Sequence, residues 1–215
     1  YVLDIVLRNV SVGHLFTEGT ADSNQVWLSL RLIDDTTGDV IAVSGDIDNR
    51  DRVHPFAHFV NAYVLDRNGN RIALRNAEDI FTKLYDHQIP PGATDVVHYL
   101  IRVPESVSGS VSIEVALHYR KFDTQYFEAF NGGTGNPLPI VTIAEDRLTL
   151  ATSEQQDAVV NVPSQIENWV RWNDYGIGFL RKKERRGLRQ AEAVFRQVST
   201  LNPANGFLNL GRVYL

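Results

Sequence analysis

The sequence predicts a mainly β protein with a helical C-terminal part. It divides into an antiparallel Ig-like sandwich over residues 1–150, a linker over 151–163 and helical hairpins over 164–215. Three observations predict it. Apolar and polar residues alternate along a series of short runs in the first 150 residues, the period of a half-buried strand. Polar turns separate those runs with no long helical pattern between them, which favours antiparallel sheets over strand–helix–strand units. Beyond the linker the apolar spacing changes to three and four, the period of a helix.

YVLDIVLRNV opens as a strand, with Tyr1, Leu3, Ile5 and Leu7 on one face. Val26, Leu28, Leu30 and Leu32 then alternate with Trp27, Ser29, Arg31 and Ile33, and the turn TTGD leads into VIAVSG. Phe56 to Leu65 reads as a strand closed by Asp66-Arg67-Asn68-Gly69-Asn70. There Asn68-Gly69 predicts a tight hairpin with positive φ at both central residues. Ala77, Ile80, Phe81 and Leu84 have helical spacing and predict one or two helical turns. Thr94 to Val103 is a strand with Val97, Tyr99, Ile101 and Val103 on one face. Val111 to Lys121 follows with Ile113, Val115, Leu117 and Tyr119 inward, and Pro139 to Leu150 is the last strand.

ATSEQQDAVVNVP starts polar and ends in proline, which marks the seam. Ser164-Gln165-Ile166-Glu167 reads as a capping box opening a helix rich in aromatic residues, from Trp169 to Leu180. Arg181 to Arg186 (RKKERR) falls in the turn between two helices, where a charge run is a solvated tip. Ala191, Phe195, Val198 and Pro203 are spaced by four, three and five. A tetratricopeptide repeat uses that spacing for its second helix and closing proline, and Asn209-Leu210-Gly211 with Tyr214 fits the first helix of a next repeat. Each such unit is a helix pair that cannot bury its apolar face alone. A truncated array is therefore expected, continuing in the natural protein past Leu215. Phe207, Leu210 and Val213 are its expected interaction face, and protein partners or other copies of the chain are the expected occupants. The absence of an initiator Met before Tyr1 suggests a segment or a processed chain. A strand starting there suits a sheet edge.

At 43% hydrophobic and 22% charged the chain has the composition of a globular domain. A net charge of −5 speaks against general nucleic-acid binding. No apolar run approaches the roughly 18 residues of a membrane span. There is no Cys, which excludes disulfides, thiolate metal sites, a Cys nucleophile and C-x-x-C-H haem attachment within these residues. Gly-rich phosphate loops, G-x-S-x-G and H-E-x-x-H are absent as well, so no catalytic residue is assigned.

Five places carry candidate chemistry. Gly13-His14-Leu15-Phe16-Thr17-Glu18-Gly19 is a tight loop that presents His14, either as a ligand or as a solvated side chain. Asp46, Asp48 and Asp51 alternate in a short loop that either chelates Ca²⁺ through hard oxygens or is simply acidic and solvated. His54 and His58 would lie about 13 Å apart on a continuous strand and so cannot share a metal. His98 and His118 sit on strands joined by PESVSGS, so they are candidate cross-strand neighbours. With a carboxylate such as Glu114 they offer a transition-metal site. The fifth place is the basic tip already described.

Longer strings carry a resemblance: R-N-V-x-V-G-H-x-F, D-S-N-x-V-W-L, A-H-F, R-N-A-E-D-I-F, I-P-P-G-A-T-D-V-V-H-Y, L-H-Y-R-K-F, W-N-D-Y-G-I-G and L-R-Q-A-E-A-x-F. Together they resemble the region that follows the haem-binding part of large bacterial proteins joining a multihaem c-type cytochrome to tetratricopeptide repeats. The resemblance implies a non-catalytic scaffold in an electron-transfer assembly, with a multihaem cytochrome domain as partner and a periplasmic or extracellular location. It also implies haem c held by a neighbouring segment or chain, with His14 as a distal axial ligand. Thr17 stands where the related G-H-x-F-P string has proline. A stand-alone adhesion sandwich for Ca²⁺, glycan or protein, and a metal-dependent enzyme built on His98 and His118, are the alternative readings.

Overall fold

A computed structural model describes residues 1–19, 23–152, 159–160 and 165–215. Much of the linker expected over 151–163, and Ser164 of the expected capping box, lie outside the described residues. In chain order the strands are β1 (Val2–Arg8), β2 (Gln25–Asp34), β3 (Val40–Ser44), β4 (His58–Phe59), β5 (Ala62–Leu65), β6 (Thr82–Asp86), β7 (Thr94–Leu100), β8 (Ser110–Arg120), β9 (Val141–Ala151) and β10 (Val159–Val160). The α-helices are α1 (Thr124–Asn131), α2 (Asn168–Arg181), α3 (Arg185–Leu201) and α4 (Pro203–Tyr214). Every strand pairing is antiparallel among the described residues. The chain is thus mixed, with antiparallel sheets and a helical C-terminal region.

Two compact units form, and they do not part at residue 150 as expected. Unit 1 gathers residues 1–16, 89–102 and 163–215, and unit 2 gathers 17–88 and 103–162. The reason is long-range pairing. β1 pairs over its whole length with β7, from Val2 opposite Leu100 to Arg8 opposite Thr94. Helix α2 packs on that ladder rather than forming a separate helical body.

The core of unit 1 joins Val96 of β7 to Phe179, Ala191, Val194, Phe195, Val198 and Leu210 of the three helices. Three glycines set the spacing. A Cβ on Gly176 would fall 2.5 Å from the Phe195 ring, one on Gly178 2.4 Å from Val96 Cγ2, and one on Gly206 2.3 Å from Ser199 Cα. Backbone therefore lies where side chains would stand, and the aromatic residues fill the remaining space. Leu210 is 8% exposed and Val213 packs on the same core, so neither is on the open side of α4. Phe207, Leu208 and Tyr214 are exposed instead. This corrects the expected Phe207/Leu210/Val213 face at Leu210 and Val213, which share the turn-spaced stripe that begins at buried Gly206, while Phe207 is exposed as expected. α2 opens at Asn168 with Glu167 as its N-cap residue, not as the third residue of a capping box.

The main sheet of unit 2 runs β10-β9-β8-β2-β3, with β4 also on β2, and β5 pairs with β6 separately. Val26, Leu28 and Leu32 of β2 and Val111 and Ile113 of β8 are buried, as their alternation predicts. Two local expectations are corrected. Leu84 belongs to strand β6, held by β5, and Ile80 and Phe81 are not helical; only Ala77–Asp79 forms a 3-10 turn. At the Asp66–Asn70 turn only Gly69 has positive φ, 83°. Asp66 makes the difference, because its carboxylate accepts the backbone N–H of Asn68 and Asn70 and closes a wider turn.

Candidate functional site

His14 sits in the loop between β1 and the Phe16–Ile89 bridge. A buried amide shapes this loop. Asn9, 6% exposed, donates from Nδ2 to the carbonyls of His14 (3.1 Å) and Ile89 (3.0 Å) and accepts the Val12 N–H at Oδ1 (3.0 Å). Its backbone pairs with Ala93 and Gly92. One asparagine thus ties both ends of the loop to the 89–93 segment. The His14 side chain is exposed, with Nδ1 2.8 Å from the carbonyl of Leu15. A carbonyl only accepts, so Nδ1 carries the proton, and the lone pair of the neutral ring lies on Nε2.

His98 and His118 are not the cross-strand neighbours expected. β7 pairs with β1, and β8 with β2 and β9, so the two histidines belong to different units. The link between the strands, short as it is, does not form a hairpin. His98 faces Asp4 across the β1–β7 ladder, with Nδ1 2.6 Å from Asp4 Oδ1. The other oxygen of Asp4 accepts the hydroxyl of Tyr175 on α2. Burial first, then the bond to Asp4, pushes the Tyr175 phenol well above its usual range. The His98 ring stacks on Phe179 with centroids 5.6 Å apart. Nearby, Asp174 is held by Arg8 at 3.1 Å, yet burial still raises its pKa.

His118 is spent inside unit 2. Ser29 Oγ lies 2.7 Å from Nε2, Thr142 Oγ1 lies 3.3 Å from Nδ1, and the ring packs on Trp27. Burial lowers its pKa. Beside it a groove of about 550 Å³ is lined by Ser29, Arg31, Glu114, Glu145 and Arg147, and Glu114 is paired with Arg147 at 3.4 Å.

Of the three loop aspartates, Asp48 and Asp51 use their carboxylates in local hydrogen bonds. Asp48 accepts the backbone N–H of Arg50 and Arg52, which hold its carboxyl below its ordinary value, that of Arg52 foremost. The Asp46 carbonyl accepts the His54 N–H. Asp51, at a positive φ of 58°, receives the Asn136 N–H at its carboxylate. Its carbonyl receives Arg120 and Thr124. Among the described residues no group of three or more His, Cys, Asp or Glu side chains is arranged to hold a metal ion. His54 Nδ1 accepts the Phe56 N–H, whereas His58 stacks on His87 at 4.6 Å, so these two part as well.

Sequence reasoning missed two clusters. One is the stack His58–His87–Tyr85, whose rings meet from segments far apart in the chain; burial pushes the Tyr85 phenol up to about 12. The other is Arg120, fully buried, bonded to Gln25, the Asp51 carbonyl and Thr124, and lying over Trp27. Only the basic residue within an apolar alternation hinted at it.

No protein-family model matches this chain, and no curated protein matches it. Among solved structures, a penta-haem cytochrome c552 from Thermochromatium tepidum is similar at a TM-score of 0.49 and 20% identity. The match covers 69% of this chain and 36% of that one, so the chain spans about a third of the cytochrome's length. No helix among the described residues is long and apolar enough to cross a membrane.

Proposed function

We propose that this chain is a non-catalytic scaffold of a multihaem c-type electron-transfer assembly, and that His14 supplies an axial ligand to a haem carried by a neighbouring segment or chain. The observation that carries this reading is the Nδ1–H···O=C bond from His14 to Leu15 on a loop fixed by Asn9. Metal-binding imidazoles use this arrangement, in which one nitrogen is held by an acceptor and the other is directed to the metal. Imidazole nitrogen suits haem iron, and a histidine on each side gives a low-spin electron-transfer centre. With no Cys in the sequence, thioether attachment of such a haem falls to another segment. The antiparallel sheet of unit 2 is read as an Ig-like sandwich layer, and α2–α4 as tetratricopeptide-type hairpins presented to a protein partner. A periplasmic or extracellular location goes with that partner.

The test is His14→Ala in the protein together with its haem-bearing module. The Soret band or the reduction potential of one haem should shift. Spectrum and potential both unchanged from wild type remove His14 from the mechanism.

A further inference from the structure

The better-built imidazole in unit 1 is that of His98, held by Asp4 on β1. Asp4 is an acceptor at both oxygens: Oδ1 takes His98 Nδ1–H at 2.6 Å, and Oδ2 takes the Tyr175 hydroxyl. The tautomer of neutral His98 follows from this, with the proton on Nδ1 and the lone pair on Nε2. Ladder register, stacking on Phe179 and the Tyr175 brace fix the ring on three sides, from β1, β7 and α2. The side chain is still 40% exposed, and Nε2 has no hydrogen-bond partner among the described residues. A carboxylate behind an imidazole both aims it and makes it a stronger donor, the usual outer-sphere support of a metal-bound histidine.

We propose that His98 is a second metal-ligating histidine of unit 1, a single Nε2 donor oriented by Asp4, with Tyr175 positioning Asp4. One imidazole cannot enclose an ion, and no third or fourth ligand stands beside it among the described residues. Its ligand is therefore a transition-metal centre that arrives with its other ligands already in place and one coordination position open. This extends the reading of unit 1 as a face turned toward a metal-bearing partner, giving that face two donors instead of one. The histidines of unit 2 differ. Both nitrogens of His118 meet hydroxyls, and Nδ1 of His54 accepts the Phe56 N–H, which leaves Nε2 of the neutral ring protonated.

The chain itself can be titrated with a haem peptide that has one histidine ligand and one vacant axial position, following the shift of its Soret band to the low-spin form. In a His14→Ala background binding should persist, and His98→Gln added to it should abolish the shift. Asp4→Asn in that background should weaken binding about tenfold or more, and Tyr175→Phe should weaken it less. Circular dichroism confirms that each variant is folded; Asp4→Asn and Tyr175→Phe remove no bulk. Equal affinity with and without His98 assigns the binding to another histidine and overturns the proposal. Equal affinity with and without the Asp4 carboxylate overturns the role of Asp4. If His14→Ala alone changes nothing in the titration, the reading of His14 fails while that of His98 is decided by its own variants.

Discussion

The imidazole of His118 in unit 2 meets a hydroxyl at each nitrogen, whereas that of His98 in unit 1 meets a carboxylate at one nitrogen and, among the described residues, no hydrogen-bond partner at the other. The same contrast runs through both units. Unit 2 turns its polar side chains on its own backbone: Asp48 and Asp66 close turns, Asp123 caps α1, and Arg120 joins β8 to the Asp51 loop. Unit 1 is packed by aromatic residues against glycine gaps, and it leaves imidazoles at its surface with Nδ1 already engaged.

The largest effect is expected where unit 1 is most dependent on packing. Phe195 is fully buried against Gly176, and Phe195→Ala should cost about 4 kcal/mol. Loss of amide protection across α2–α4 in hydrogen exchange checks it. For unit 2 the counterpart is polar. Arg120→Met keeps the bulk but leaves the Gln25 side chain and Thr124 without their donor and the Asp51 carbonyl with Thr124 alone, at about 3 kcal/mol in denaturant unfolding. A change below about 0.5 kcal/mol would break the contrast drawn above.

Gly45→Ala should cost about 2 kcal/mol. Gly45 has a φ of 76°, and an added Cβ would lie 2.1 Å from the Leu28 carbonyl oxygen. Quenching or a shift of Trp27 emission reports it, since Trp27 Nε1 donates to the Gly45 carbonyl.

Acid should separate the units by a smaller amount. Asp35, Asp48, Asp66 and Glu128 in unit 2 all have lowered pKa values. The stability they contribute is complete above their ordinary values and is lost as pH falls through the lowered ones. Asp174 in unit 1 has a raised pKa. Folded unit 1 therefore takes up its proton first, and this term favours folding as pH falls from the raised pKa toward the ordinary one. Hydrogen exchange as pH falls below the ordinary carboxylate values should show β2 and β8 losing protection before α2; the reverse order contradicts the assignment.

Much of unit 2 was legible because alternation is local: β2, β8 and β9 stand within a residue or two of their expected bounds. The helices were legible from Ala191, Phe195 and Val198, all three buried. Ladder partners were not, since β1 and β7 meet across some ninety residues and nothing in either strand names the other. The Asp4–His98 contact was hidden for that reason, and PESVSGS suggested a false neighbour. β6 was misread because Ile80, Phe81 and Leu84 have helical spacing but are exposed, so their pattern does not reflect a buried face. α1 was overlooked although Asp123 and Gly132 mark its two ends.

The claim that unit 1 engages its histidines through Nδ1–H is tested most directly by the ring nitrogens themselves. A long-range proton–nitrogen correlation spectrum of the histidine-labelled chain reads each tautomer. His14 and His98 should show the Nδ1–H form and His54 the Nε2–H form, with Asp4→Asn loosening His98 alone. An Nε2–H tautomer at His98 or His14 would contradict the account.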